Sequence, residues 1–161
     1  LREILLTQGK VAIVDDEDYT KLSLHNWYVD KRGYIKTSIW NPITKKQRHL
    51  TMSRAILNAK IGSIVDYIDG NKLNNTRENL RVVTQQQNLW SQKPRKSKSG
   101  YRGVQWMPAQ KKWRATITFN GKGYYLGIYS TSEDAAAVYN SKALEFFGEY
   151  ARLNILKEAV N

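Results

Sequence analysis

Between Trp113 and Phe119 apolar and polar residues alternate without a break, Trp113, Ala115, Ile117 and Phe119 against Arg114, Thr116 and Thr118. Strand side chains leave opposite faces in turn, so this run carries one face that needs burial and one that does not. Asn120-Gly121 follows directly. It is a strong two-residue hairpin signal, because the favoured turn needs positive φ at both positions. The chain is therefore expected to return through Lys122 to Tyr129, with Tyr101 to Trp106 as a third strand. Cover for the apolar face comes next in the sequence. Thr131 caps a helix with Asp134 at its third position, and Ala136, Tyr139, Ala143 and Phe146 or Phe147 form one stripe that stops at Gly148.

The first third reads differently. Short β-like runs (Ile4 to Leu6, Lys10 to Val14, Trp27 to Val29, Tyr34 to Trp40, Arg48 to Met52) are separated by turn residues, with one short acidic-started helix within Asp15 to Leu24. This predicts a small sheet in which Trp27, Tyr28, Tyr34 and Trp40 serve as core and cross-strand packing. A helical turn at Ser53 to Leu57 and a strand at Ile64 to Ile68 follow. Gly70 and the asparagines Asn71, Asn74, Asn75 and Asn79 then supply loop chemistry, with Asn79 expected to staple the loop through its own backbone contacts. Leu80 to Val83 reads as the return strand. Thr84-x-x-Gln87 is a capping box that opens a helix through about Ser91 and puts Asn88 in its first turn.

Charge separates the two parts. The formal net charge of the 161 residues is +12, which favours a polyanionic partner, because each neutralised phosphate releases condensed counterions. From Asn79 to Ser132 there are ten basic residues and no Asp or Glu. Gln92 to Gly100 is basic, contains proline and serine, and has no apolar period, so it reads as a connector whose Lys96 and Lys98 track phosphates. With no cysteine, disulfides and thiolate metal sites are excluded. No apolar run is long enough to span a bilayer, and Leu1 to Leu6 lacks the pattern of a secretory leader, so a cytoplasmic protein without a membrane partner is expected.

Val65, Asp66, Tyr67, Ile68, Asp69, Gly70 and Asn71, then Asn74, Asn75, Glu78, Asn79, Leu80 and Asn88, resemble the metal site of phage-type HNH homing endonucleases. The resemblance implies a strand, loop, strand, helix (ββα-metal) motif and a divalent magnesium or manganese ion held by Asp66 and Asn88. In that family a histidine activates water for attack on a phosphodiester. Here Tyr67 stands in its place. With a reference pKa near 10 against about 6.5 for histidine, only about one phenol in a thousand is ionised at pH 7. Ser53 likewise stands where the family usually has a second histidine. His49, just upstream, reads either as a displaced base or as an ordinary polar residue near a strand end; His25 reads as a surface residue.

Tyr101, Arg102, Gly103, Val104, then Lys112, Trp113, Tyr125, Leu126, Gly127, Ala135 to Ala137, Tyr139, Gly148, Ala151 and Asn154 resemble the plant Apetala or ethylene-response-factor DNA-binding domain. That family lays a three-stranded sheet in the major groove. Carried over by position, its contacts fall on Arg102, Gln105, Thr116, Thr118 and Tyr125, with Arg114 and Lys122 beside them. Gln105 and Thr118 replace arginines of the plant domain, so its GC-rich preference is not carried over.

The expectation is an α+β chain with three parts. Residues 1–91 form an HNH-endonuclease-like domain, 92–99 a basic linker, and 100–161 an ethylene-response-factor-type domain. Its expected function is sequence-preferring binding of double-stranded DNA, with cleavage impaired or absent, as in a phage or mobile-element regulator. Two alternatives stay open at this point: an active metal-dependent DNA nickase, and a protein-interaction module or inhibitor.

Overall fold

The computed structural model describes residues 1–92 and 97–157, in two compact units, Leu1–Gln85 and Gln86–Asn161. Both are α+β, with small antiparallel sheets.

In the first unit β1 (Arg2–Leu5) and β2 (Val11–Val14) pair as a hairpin. Next come α1 (Asp16–Leu22) and a three-stranded sheet of β3 (Tyr28–Val29), β4 (Ile35–Asn41) and β5 (Lys46–Thr51) in the order β3-β4-β5. The single sheet expected from the early β-like runs is thus two, with the acidic helix between them. Then α2 (Met52–Leu57) leads to a hairpin of β6 (Ile64–Tyr67) and β7 (Leu80–Val83). One core of Leu6, Val14, Leu22, Trp27, Ile35, Met52, Ile56 and Tyr67 holds these pieces together. Trp27 is buried as expected, its indole N–H donating to the Leu22 carbonyl at 2.7 Å. Trp40 is not: it is 61% exposed, a correction to its expected packing role. Arg77 adds a long-range tie, with Nε and Nη2 each 2.8 Å from the buried Asp18 carboxylate. A buried charge matched in this way is costly to break from one side only.

The second unit contains β8 (Val104–Met107), β9 (Lys112–Phe119) and β10 (Lys122–Tyr129) in the order β10-β9-β8. Asn120 and Gly121 take φ of 50° and 77°, as the hairpin signal requires. The sheet packs on α4 (Ser132–Phe147) through Val104, Ala115, Ile117, Ala135, Ala136, Tyr139, Ala143 and Phe147. The Thr131 hydroxyl accepts the Asp134 N–H at 3.1 Å, and Gly148 ends the helix. Gly103 explains the Tyr-Arg-Gly-Val run. Its φ is +75°, and a Cβ there would lie 2.1 Å from the Tyr139 ring and 2.6 Å from the Thr116 carbonyl, so only glycine lets the α4 tyrosine pass.

All of the helix α3 (Gln85–Ser91) but its first residue falls with this unit, not with the hairpin that precedes it. Trp90 stacks on Phe147 at 5.0 Å and 17°, and lies 5.7 Å from Phe119. The division therefore comes after Gln85, ahead of the connector at 92–99 that composition pointed to. The cause is aromatic packing, which composition does not register.

Candidate functional site

Register assigns the faces of the C-terminal sheet. Cross-strand partners share a face, and Gln105 pairs with Arg114, Tyr125 with Thr116 and Gly123 with Thr118. Ala115 and Ile117, next to them on β9, point to α4 and are buried. The opposite face thus gathers Gln105, Arg114, Thr116, Thr118 and Tyr125, five of the residues picked from sequence. Tyr125 is 64% exposed there, which suits a contact residue better than a packing one. A bulge between Tyr125 and Gly127 shifts the register at this point. Gly127 (φ +122°) leaves room for the Tyr129 hydroxyl, which donates to the Leu126 carbonyl at 2.7 Å. Arg114 Nη2 donates to Gln105 Oε1 at 2.6 Å. Its Nε is buried with no hydrogen-bond partner among the described residues, an uncommon state for a guanidinium N–H.

Two residues expected on this face lie elsewhere. The Arg102 guanidinium clamps the end of α3, donating from Nη1 to the carbonyls of Trp90 (2.6 Å) and Gln92 (3.2 Å) and from Nη2 to that of Leu89 (3.0 Å). These are orphan carbonyls of a helix end, and a cation suits them twice over, as donor and as counter-charge. Arg102 also faces the α4 residue Tyr139, whose phenol burial pushes up and Arg102 pulls back. Its own backbone is clasped by the buried Asn154, which accepts the Arg102 N–H at 2.7 Å and donates to its carbonyl at 3.1 Å. Lys122 pairs in register with Phe119, so it belongs to the edge of the helix-facing side, with its ammonium 5.4 Å from the Tyr124 ring. Lys98 is exposed, 6.0 Å from the Trp106 ring. Lys96 lies outside the described residues.

The residues that resemble a hydrolytic motif are engaged in internal contacts. Tyr67 ends β6 with its ring in the core, 6.4 Å from that of Tyr34, and its hydroxyl donates to Asn75 Oδ1 at 3.3 Å. Burial pushes this phenol above its ordinary pKa, a hydrogen bond with Ser53 opposes that, and Tyr34 adds to it. Ser53 is itself buried, so the two positions that departed from the family pattern are in contact. A phenol held neutral cannot accept a proton from water near pH 7. Asp66 pairs in register with Arg81, whose Nε and Nη2 lie 3.1 and 2.9 Å from its Oδ2. Both side chains are mostly buried, at 14% and 16% exposure.

The loop between β6 and β7 is held by its own groups. Asn79 Oδ1 accepts the Asp69 N–H at 2.9 Å, and its amide donates to Asp69 Oδ1 and to the Asn74 carbonyl. It is the loop staple expected from the sequence. Asn74 donates to Asp69 Oδ2 at 2.9 Å, and Asn75 is fully buried. His49 sits on β5 with Nδ1 3.1 Å from Ser38 Oγ and 3.3 Å from the Tyr28 hydroxyl. Its partners belong to the β3-β4-β5 sheet, which favours the ordinary polar role. Asn88 is half-buried on α3 in the second unit, whereas Asp66 belongs to the first.

A divalent metal needs several hard oxygen donors. Here Asp66, the carboxylate expected to hold the ion, is already matched by a guanidinium, its neighbour is a neutral phenol in the core, and the loop amides are engaged with Asp69, Tyr67 and the loop backbone. Among the described residues no three of His, Cys, Asp or Glu cluster as metal ligands would. The residues present do not fit the ion that the motif implies. Sequence missed the Asp66–Arg81 pair, although it follows from hairpin register once the ends of β6 and β7 are fixed.

Residues 61–89 match the family described as HNH endonuclease. Over 149 residues, 91% of this chain and 76% of the relative, the protein is 35% identical to the "Uncharacterized HNH endonuclease L560" of Acanthamoeba polyphaga mimivirus. It is 35% identical to "Protein 3.8" of Escherichia phage T7 over 56% of this chain and 75% of that one. A third similarity, 37% over 84 residues, is to the "Ethylene-responsive transcription factor WRI1" of Arabidopsis thaliana, covering 48% of this chain and 20% of the plant protein. No helix among the described residues is long and apolar enough to cross a membrane.

Proposed function

Since the chain belongs to the HNH endonuclease family, we propose that it keeps that family's association with DNA and has given up the cutting step, as a sequence-preferring binder of double-stranded DNA in a phage or mobile-element setting. The observation that carries the reading is the Tyr67 phenol. It lies in the core at the family's base position, bonded to Asn75 and Ser53 and raised in pKa by burial, while Asp66 beside it is matched by Arg81. Losing a general base costs roughly 10² to 10⁴-fold in rate, and here the acceptor is gone together with a free carboxylate.

The binding surface in this reading is the polar face of β8, β9 and β10. Arg114 supplies a phosphate contact, Gln105 a base contact suited to adenine, and Thr116, Thr118 and Tyr125 the surrounding polar and apolar edges. The similarity to a plant transcription factor over 84 residues supports a DNA-binding part in this chain. Arg102 and Lys122 are left out of this surface because of where their side chains lie. The experiment is a supercoiled-plasmid assay with magnesium or manganese beside a duplex-binding titration. Retarded but uncut DNA is expected. Rapid nicking by the natural sequence would reject the reading in favour of a metal-dependent nickase.

A further inference from the structure

Residues 31–65 hold eight basic residues and no Asp or Glu. This second acid-free run lies in the unit that lacks the polar sheet face, and its outermost part is the end of the β4–β5 hairpin. At the base of that hairpin Ile35 and Thr37 are buried and Leu50 and Thr51 half-buried, whereas Trp40 to His49 are all exposed. Pairing nevertheless continues out to Asn41 and Lys46. The turn is fixed too. Asn41 Oδ1 accepts the N–H groups of Ile43 and Thr44 at 3.0 Å each, and Lys45 takes φ 50°.

An ordered ribbon therefore holds Trp40 out at 61% exposure and Ile43 at 91%. Neither side chain gains much burial within its own unit. Two other cations of the run are occupied, Lys36 with Asp30 at 2.6 Å and Arg54 with the carbonyls of Ala59, Lys60 and Ser63. Lys45, Lys46 and Arg48 make no ion pair among the described residues.

We propose that the β4–β5 ribbon is a second contact with duplex DNA, with Lys45, Lys46 and Arg48 on phosphates and Trp40 and Ile43 against the groove. A two-stranded β-ribbon has the width that the major groove admits. Three cations without an ion pair among the described residues, on the same ribbon as two exposed apolar side chains, suit a polyanion with an apolar interior, and an apolar protein partner would not require the whole run to be free of acids. The inference rests on the DNA-binding reading above and assigns it a separate face, in the unit derived from the nuclease.

The test uses the full chain and a fluorescein-labelled duplex of mixed sequence, titrated by anisotropy at several salt concentrations. The variant Lys45→Gln/Lys46→Gln/Arg48→Gln is expected to bind roughly tenfold or more weakly, with the slope of log affinity against log salt reduced by about 2.7, at about 0.9 per phosphate contact. Trp40→Ser/Ile43→Ser is expected to weaken binding and leave the slope unchanged. All five side chains are exposed, so melting should not move. If the triple variant melts lower, Lys45→Gln and Arg48→Gln singly should each reduce the slope by about 0.9. Wild-type affinity and slope in the ribbon variants, alongside weakened binding in Arg114→Gln, would overturn the ribbon and leave the proposed function standing. Absence of duplex binding by the natural protein would remove both. Loss in the ribbon variants of binding to single-stranded RNA or to a protein, with duplex binding intact, would overturn duplex DNA as the occupant.

Discussion

The β6–β7 hairpin and the β8-β9-β10 sheet both carry residues that families of DNA-acting proteins use, and they have gone opposite ways. On the sheet, Gln105, Thr118 and Tyr125 are exposed and Arg114 keeps a buried N–H without a partner among the described residues. On the hairpin the groups are turned on one another, Tyr67 to Asn75 and Ser53, Asp66 to Arg81, Asn79 to Asp69. A side chain satisfied by its own fold adds stability and is lost to chemistry, because buried polar groups that are paired have no reason to open. The contrast separates a surface left open from a motif whose groups are engaged by their own fold.

The strongest way to break this comparison is through the support of the sheet. Gly103→Ala would drive a methyl into the Tyr139 ring at a positive φ. A loss of several kcal/mol, on the order of 3 to 5, is expected for the second unit, with DNA binding abolished. Two-probe denaturation checks it, and an unchanged melt would show that Tyr139 moves aside. Next in size, Arg102→Ala removes three bonds to the end of α3 and should cost about 2 to 3 kcal/mol. If the role of Arg102 is structural, the salt dependence of duplex binding, measured at a temperature where the variant is folded, stays as it was.

Tyr67 sharpens the other side of the comparison. A phenol whose folded pKa is raised holds its proton more firmly than in the unfolded chain. Stability is therefore whole below about pH 10 and falls as pH rises from there toward the folded value. Tyr67→Phe should flatten that alkaline loss, read as melting temperature against pH; an unchanged profile would mean that burial does not govern this group. Tyr67→His should gain no plasmid nicking with magnesium or manganese, since Asp66 stays matched by Arg81. The smallest effect belongs to Arg114→Gln, expected to reduce the salt slope of duplex binding by about 0.9; an unaltered slope would take Arg114 off the phosphates.

Much of the fold could be read in the chain because local signals agreed with each other. The alternation at 113–119, the Asn120-Gly121 turn and the Thr131 cap all recur as expected, and so do the β6 and β7 strands around the asparagine loop. Other features depended on contacts far apart in sequence. Arg102 was assigned to the polar face by position, but its long side chain reaches the carbonyls of residues 89, 90 and 92, which no period reveals. Lys122 was misplaced because the two-residue turn sets it opposite Phe119, on the helix side. Trp40 was expected inside because aromatic residues on short strands usually pack; the ribbon extends beyond the core that would have received it.

The stacking of Trp90 on Phe147 sets a limit on how this protein can be cut down for study. A fragment starting in the basic connector, where composition invites excision, would lose the indole that covers Phe119 and Phe147 and leave a greasy scar prone to aggregation. A usable C-terminal piece has to begin before α3 and run past Asn154.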